Sequence, residues 1–152
     1  LLRPDHVARE IARVCQAGGV VMLGRVNRAP DSLKERLRRR RQRLLREVGA
    51  HPRSGDDGSR QVIARLAQTG WADLGRRDVA AWSGECSARE LLAEWESLTR
   101  MGSVEIGRVT HASILGDVRE WATREFGDLD HPWPFCDQFV LDIAQRPERQ
   151  HA

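Results

Sequence analysis

The stretch that decides the fold is residues 7–26, VAREIARVCQAGGVVMLGRV. Apolar residues recur every three or four positions from Val7 to Val14, which is the spacing of one helical face. Gly18 and Gly19 then supply the positive φ that ends many helices. The run from Val20 to Val26 is nearly continuous in apolar residues, which is typical of a strand buried on both faces of a parallel sheet. Helix, glycine turn and strand form half of a βαβ unit and predict an α/β fold.

The length and composition are those of an ordinary globular protein. A chain of 152 residues predicts a single domain over residues 1–152, with a core of modest size. The longest apolar run, Val20 to Leu23, is far too short to cross a bilayer, and we find no secretory signal, so we expect a cytoplasmic protein without a membrane partner. Three cysteines without a CxxC spacing argue against both a disulfide framework and a zinc ribbon.

Further helices are predicted by apolar stripes with capping or stop signals. Asp5 is the predicted cap of the first helix, and Ser87 with Glu90 forms the sequence pattern of a capping box. The other predicted helices run from Asp31 to Val48, from Ser59 to Gly70, from Ser87 to Gly102 and from Ala112 to Phe126.

Two more strands follow from apolar and aromatic residues. Trp71 to Trp82 predicts an imperfect strand with a bulge at Gly75. Phe135 to Ala144 alternates, and the pattern predicts that Cys136, Gln138 and Asp142 share its polar face. Residues 145–152 are polar, and we expect a frayed tail there.

The order of these elements resembles a known enzyme family. Residues 8–19, AREIARVCQAGG, with the following VVML, resemble the LREIARVLKPGG helix and fifth strand of class I S-adenosylmethionine-dependent methyltransferases. Residues 62–71, VIARLAQTGW, resemble the helix ending in AGF that leads into the family's sixth strand. Phe135 to Ala144 resembles its antiparallel seventh strand. The resemblance implies a partial Rossmann-like sheet of strands five to seven, mixed parallel and antiparallel, flanked by helices.

The cofactor-binding motifs of that family are missing from this sequence. In the family, S-adenosylmethionine is held by a glycine-rich turn after the first strand and by an acidic residue that ends the second. The thirteen glycines of this chain contain no GxGxG arrangement, and Leu1 stands where the loop after the fourth strand ends in the family. We therefore expect the C-terminal, acceptor-side half of a methyltransferase, which cannot bind the cofactor alone and acts as an enzyme only if an N-terminal half completes it.

The edge of the strand from Val20 to Val26 is a predicted contact surface. In the family this strand pairs with a fourth strand, and an apolar edge without that neighbour attracts another chain. The partner would be a complementary N-terminal half or a second copy in a homodimer. A second functional hypothesis follows, in which the chain is a non-catalytic, methyltransferase-like remnant that binds a protein or itself.

Residues that contact a small-molecule acceptor are predicted mainly from their positions. Arg25 and Asn27 lie at the carboxyl end of the first strand, where open α/β sheets place ligands. His111 precedes a predicted helix and is the candidate base, although an ordinary surface histidine explains it better. Trp82, which could line an aromatic acceptor pocket, and Glu85, in the predicted loop before the capped helix, are weaker candidates.

Other side chains suggest further sites with less support. Trp95 and Trp121 fit an aromatic lid, but their helical spacing favours ordinary packing. His131 and Cys136 are only a pair of possible ligands, so we predict no metal site. Five of the six residues from Arg38 to Arg43 are basic, yet a solvated helix face explains them better than a nucleic-acid site.

Overall fold

A computed structural model describes residues 3–50, 55–97 and 106–148, without the side chains of residues 55–57. This part of the chain contains five helices and three strands. In order they are α1 (Pro4–Val14), β1 (Val20–Arg28), α2 (Leu33–Glu47), α3 (Gly55–Gln68), β2 (Ala72–Cys86), α4 (Ala88–Ser97), α5 (Arg108–Phe126) and β3 (Trp133–Gln145). The protein is therefore an α/β protein.

The three strands form one sheet in the order β1-β3-β2. Backbone bonds from Gly18 N–H to the Pro147 carbonyl (3.3 Å) and from Arg146 N–H to the Gly19 carbonyl (2.9 Å) place the end of β3 beside the start of β1. All neighbouring strands are antiparallel, and helices flank the sheet. Strands β1 and β2 run in the same direction, but β3 lies between them and runs in the opposite direction. The expected mixture of parallel and antiparallel pairs is therefore not found among the described strands.

Helices cover β1 on one face only, and the predicted burial on both faces is wrong. Val21 and Leu23 pack against a core of α1 and α3 residues. The alternate residues Val20 and Met22 are 46% and 59% exposed. A continuous apolar run indicates that a strand contacts the core. How many of its faces helices cover depends on the rest of the fold.

The residues cluster into two compact units, and each strand contributes to both. The first unit comprises Leu1–Asn27, Ser54–Ala81 and Gln138–Ala152. Its core joins α1, α3 and the end of β3 through Ala8, Val62, Ile63, Leu66, Trp71 and Ala144.

The second unit comprises Arg28–Arg53 and Trp82–Asp137. Its core joins α2, α4 and α5, and its most deeply buried aliphatic side chains are Leu37, Leu45, Leu92 and Val118. The interpretation of residues 1–152 as a single domain stays a prediction. Of the predicted frayed tail, Gln145 belongs to β3, while residues 149–152 lie outside the described part of the chain.

Several helix starts differ from the predictions by a few residues. Arg3, not Asp5, is the N-cap of α1, because Pro4 occupies the first turn, where its fixed φ fits. Helix α3 begins at Gly55 instead of Ser59, and α5 begins at Arg108 instead of Ala112. The capping box of α4 is confirmed, since Ser87 N–H donates to Glu90 Oε2 (2.8 Å) and Glu90 N–H donates to Ser87 Oγ (3.2 Å).

None of the helices in the described ranges combines the length and the apolar character needed to cross a bilayer.

Candidate functional site

Arg25 and Asn27, two of the predicted acceptor residues, lie in β1 in the first unit. Arg25 is turned toward a buried carboxylate, with its Nε 3.9 Å from Oδ2 of Asp142. Asn27 is exposed. The position of these residues near the end of the strand agrees with the sequence, but the side chain of Arg25 serves an ion pair.

Trp82, Glu85 and His111 belong to the second unit. Trp82 and Glu85 are exposed residues within β2, which extends through Cys86, so Glu85 is not in a loop as expected. His111 lies in the first turn of α5, not before the helix. Its Nε2 is buried and has no hydrogen-bond partner among the described residues. An acceptor role for any of these residues stays a prediction.

A different set of residues forms a cavity in the second unit. The cavity has a volume of about 350 Å³ and lies between α2, α4 and the last residue of β1. Its lining is Arg28, Lys34, Arg38, Arg41, Leu91, Glu94 and Trp95. Cations dominate this lining, and an indole ring and a leucine supply apolar surface.

Helix geometry places three of the cations on one line. Lys34, Arg38 and Arg41 are spaced by four and three residues in α2, so they lie above one another on the same helical face. Leu91, Glu94 and Trp95 share a face of α4 for the same reason. Leu33, Leu37 and Leu44 are buried on the adjacent side of α2, and Leu45 is buried one turn beyond Arg41, which fixes the direction of the cationic line.

The guanidinium of Arg41 stacks on the indole of Trp95, with the Arg41 Cζ 4.0 Å from the ring centroid. Its Nε and Nη1 are buried and have no hydrogen-bond partner within the described ranges. Burial and then the charge of Arg38 lower the pKa of Arg41, and Glu94 opposes this effect. The side chain stays cationic at neutral pH, because arginine keeps its proton far above that pH.

Lys34 and Arg28 share a single carboxylate. Asp137, which is buried in β3, has its Oδ2 at 3.3 Å from Lys34 Nζ and at 3.4 Å from Arg28 Nε. The ammonium of Lys34 also lies 3.3 Å from the centroid of the Phe135 ring. Asp137 therefore orients two cations at the cavity but can neutralise only one of them.

Glu35 is the carboxylate that two cations of the next turn of α2 share. Its Oε2 and Oε1 accept hydrogen bonds from Nε and Nη2 of Arg38, both at 2.7 Å, and Oε1 also accepts from Arg39 Nε at 3.2 Å. Burial raises the pKa of Glu35, but the bonds and charges of Arg38 and Arg39 outweigh burial and lower it below the ordinary value. Glu35 is thus ionised at neutral pH, and cations still exceed carboxylates around the cavity.

This arrangement suits the binding of an anion. Guanidinium and ammonium groups provide charge-assisted donors, and Trp95 with Leu91 provides an apolar contact. Neither histidine nor cysteine is among the residues that line the cavity, so the lining supplies no imidazole and no thiol, and Glu94 is its carboxylate. Within residues 3–50, 55–97 and 106–148, no group of three or more His, Cys, Asp or Glu side chains is placed to hold a metal ion.

Some residues of this cavity were candidates in the sequence, but no pattern predicted that they form one site. The run from Arg38 to Arg43 is predicted to be a solvated helix face, and Trp95 is predicted to be an ordinary packing residue, with an aromatic lid as the less favoured alternative. The spacing of Lys34, Arg38 and Arg41 is the signal that could have been used, because it predicts one cationic stripe. Arg28 and Asp137 come from distant strands, and no local pattern connects them with α2.

Comparison of the sequence with protein-family models and with curated proteins finds no match.

Proposed function

We propose that this chain is the acceptor-side part of an S-adenosylmethionine-dependent methyltransferase that acts on a small molecule. The observation that carries the proposal is the pairing of β1 with β3. The sequence of α1, its glycine turn and β1 resembles the family's helix and fifth strand, and β3 resembles the antiparallel seventh strand. The antiparallel direction of β3 against β1 agrees with this assignment.

The cavity supports an acceptor-binding role because of its position. Arg28 is the last residue of β1, and open α/β sheets bind their ligands beyond the carboxyl ends of strands. Methyl transfer is a direct displacement in which a protein contributes mainly by aligning the two reactants. A cavity that fixes a charged group of the acceptor would contribute to this alignment.

Among the described residues, the glycine pair just before β1 does not fit a cofactor cradle. The region of resemblance contains one glycine pair, Gly18 and Gly19, which forms the turn before β1. Atoms of the chain itself fill the space beside this turn, so no cofactor group could lie there. A Cβ at Gly19 would lie 2.5 Å from Cys15 Sγ and 2.9 Å from the Gln16 carbonyl, and a Cβ at Gly18 would contact the Glu148 side chain. We therefore assign S-adenosylmethionine binding to a segment outside this sequence.

Two measurements test the proposal. The intact mass of the cellular polypeptide, with the reading frame upstream of Leu1, should reveal about 100 further residues with a glycine-rich turn. Isothermal titration of the 152-residue chain with S-adenosylmethionine should show no binding. An upstream frame without such a turn would overturn the proposal, and micromolar binding by the chain alone would overturn the assignment of the cofactor site.

A second candidate function is self-association through β1. Among the described strands, only β3 is hydrogen-bonded to β1, and Val20 and Met22 beside this edge are exposed. Sheet edges of this kind pair readily with a second copy. Light scattering over a concentration series should then show a dimer that Val20→Lys weakens and Val109→Lys, a matched change at an exposed valine of α5, does not. A monomer at every concentration would exclude this function.

A further inference from the structure

We infer that the cavity between α2 and α4 binds a small organic anion, a carboxylate or phosphate carried on a flat apolar group. This inference concerns binding alone. The identification of that anion as the methyl acceptor rests on the proposed function.

The charge of the lining is the first argument. Arg28 and Lys34 share the carboxylate of Asp137, and Arg38 shares the carboxylate of Glu35 with Arg39. Each carboxylate thus faces two cations. Glu94 also lines the cavity, so the four cations of the lining face the three carboxylates of Asp137, Glu35 and Glu94, and one positive charge is in excess. An anion in the cavity would be attracted by that excess charge, and the half-buried setting makes the attraction stronger than in open water.

The buried donors of Arg41 are the second argument. The Nε and Nη1 of Arg41 are two buried donors on different edges of its guanidinium, and guanidinium groups bind carboxylates and phosphates through charge-assisted hydrogen bonds. Burying such donors without an acceptor is costly, and an anionic ligand would remove that cost. Trp95 beneath the guanidinium keeps its plane in place.

The shape and apolar residues of the cavity restrict the rest of the ligand. A volume of about 350 Å³ lies at the small end of the range for ligand pockets. Leu91 is buried and Trp95 partly buried, so they offer a limited apolar surface next to the cations. A single ring that carries the anionic group matches this combination.

A nucleic acid fits less well than a small anion. A polyanion needs exposed cations along a surface, whereas Lys34 and Arg38 are about four-fifths buried and held by carboxylates. The more exposed arginines of α2, Arg39 and Arg43, line a separate shallow depression beside Trp121. The cavity is therefore proposed for a small ligand.

Isothermal titration of the full chain with benzoate, phenyl phosphate and neutral benzamide tests the inference. Benzoate or phenyl phosphate should bind with a dissociation constant of about 0.1–1 mM, the range for ligands of this size, and benzamide at least about ten-fold more weakly. The comparison of the first two identifies the anionic group. Equal binding of benzamide, or no binding of either anion, would overturn the inference.

Variants in α2 locate the site. Arg41→Gln should weaken anion binding by about ten- to a hundred-fold, since it removes charge-assisted hydrogen bonds. Arg46→Gln makes the same change at an exposed residue of α2 and should leave the affinity unchanged. Circular dichroism checks that both variants are folded, and equal affinities of the two variants would overturn the assignment to the cavity.

A filter-binding titration with a single-stranded oligonucleotide covers the remaining alternative. Oligonucleotide binding that is tighter than anion binding and lost in Arg41→Gln would replace the inference with a nucleic-acid site. None of these titrations contains the cofactor, so a failure of anion binding and a failure of the methyltransferase proposal are separate results.

Discussion

Arg76 in β2 holds the buried carboxylate of Asp142 in β3 through two hydrogen bonds. Its Nε lies 3.0 Å from Oδ1 and its Nη2 3.4 Å from Oδ2. Arg60 Nη1, at 3.6 Å, and Arg25 Nε, at 3.9 Å, bring further positive charge to the same carboxylate. Asp142 is 0% exposed and lies on the covered face of β3. Three arginines, one each from β1, α3 and β2, thus converge on this buried carboxylate.

Asp142→Asn should lower the free energy of unfolding by about 1–3 kcal/mol. The substitution removes the charge while leaving the arginines in place, and the loss of one partner of a buried pair costs up to about 5 kcal/mol. The smaller value is expected because Arg76 and Arg60 are 38% and 43% exposed and can turn toward water. Urea denaturation at pH 7 measures the change.

Asp78→Asn is the matched control, since Asp78 is an exposed aspartate of β2 in the same unit. It should change the free energy of unfolding by less than about 0.5 kcal/mol. If both variants were equally stable, the ion pairs around Asp142 would contribute nothing measurable.

Gly24→Ala in β1 should destabilise the protein by about 1–3 kcal/mol through overpacking. The added Cβ would lie 2.4 Å from Phe139 Cζ and 3.2 Å from Leu141 Cδ2, so the side chains of β3 would have to move. Thermal or urea denaturation followed by circular dichroism measures this effect.

Gly116→Ala in α5 is the same substitution but should change the stability of the protein in the opposite direction. Apart from its chain neighbours and the backbone of its own helix, no described atom lies within 4 Å of the new Cβ, and the residue is in a helix. Alanine there should stabilise the protein by about 0.5–1 kcal/mol. A similar loss of stability in both variants would mean that close packing is not the reason for Gly24.

The sequence was informative about the fold wherever a pattern is local. The glycine turn, the capping box of Ser87 and the order of helices and strands depend on neighbouring residues, and the structure has them. Asp142 shows the limit of such patterns. Its alternation with Leu141 and Ile143 predicted the polar face, yet it lies on the covered face, because arginines from three other elements make burial of that carboxylate possible.

The candidate site was harder to predict because it depends on contacts between distant residues. The spacing of Lys34, Arg38 and Arg41 is visible in the sequence. That Trp95 stacks on Arg41, and that Asp137 reaches Lys34 over 103 positions of sequence, follows only from the packing of α2, α4 and β3 in the second unit.

Ser87→Ala should lower the free energy of unfolding by about 1 kcal/mol, because Ser87 Oγ accepts the hydrogen bond of the Glu90 amide at the start of α4. Glu90→Gln should cost less, since the amide oxygen of glutamine can still accept the N–H of Ser87. Urea denaturation of both variants measures the difference. A Glu90→Gln variant less stable than Ser87→Ala would indicate that the charge of Glu90 matters more than the cap.

Glu35→Gln should lower stability by about 1–2 kcal/mol at pH 7, since Glu35 is buried and bonded to Arg38 and Arg39. The pKa of Glu35 in the folded protein lies below its ordinary value of 4.5. Ionised Glu35 therefore stabilises the protein above about pH 4.5, and this contribution is lost as the pH falls through the folded-state pKa. Urea denaturation between pH 3 and 7 should show the difference between the wild type and Glu35→Gln shrinking toward acid. For Glu47→Gln, at an exposed residue of the same helix, a small difference that is independent of pH is expected, and a constant difference for Glu35→Gln would contradict the ion-pair interpretation.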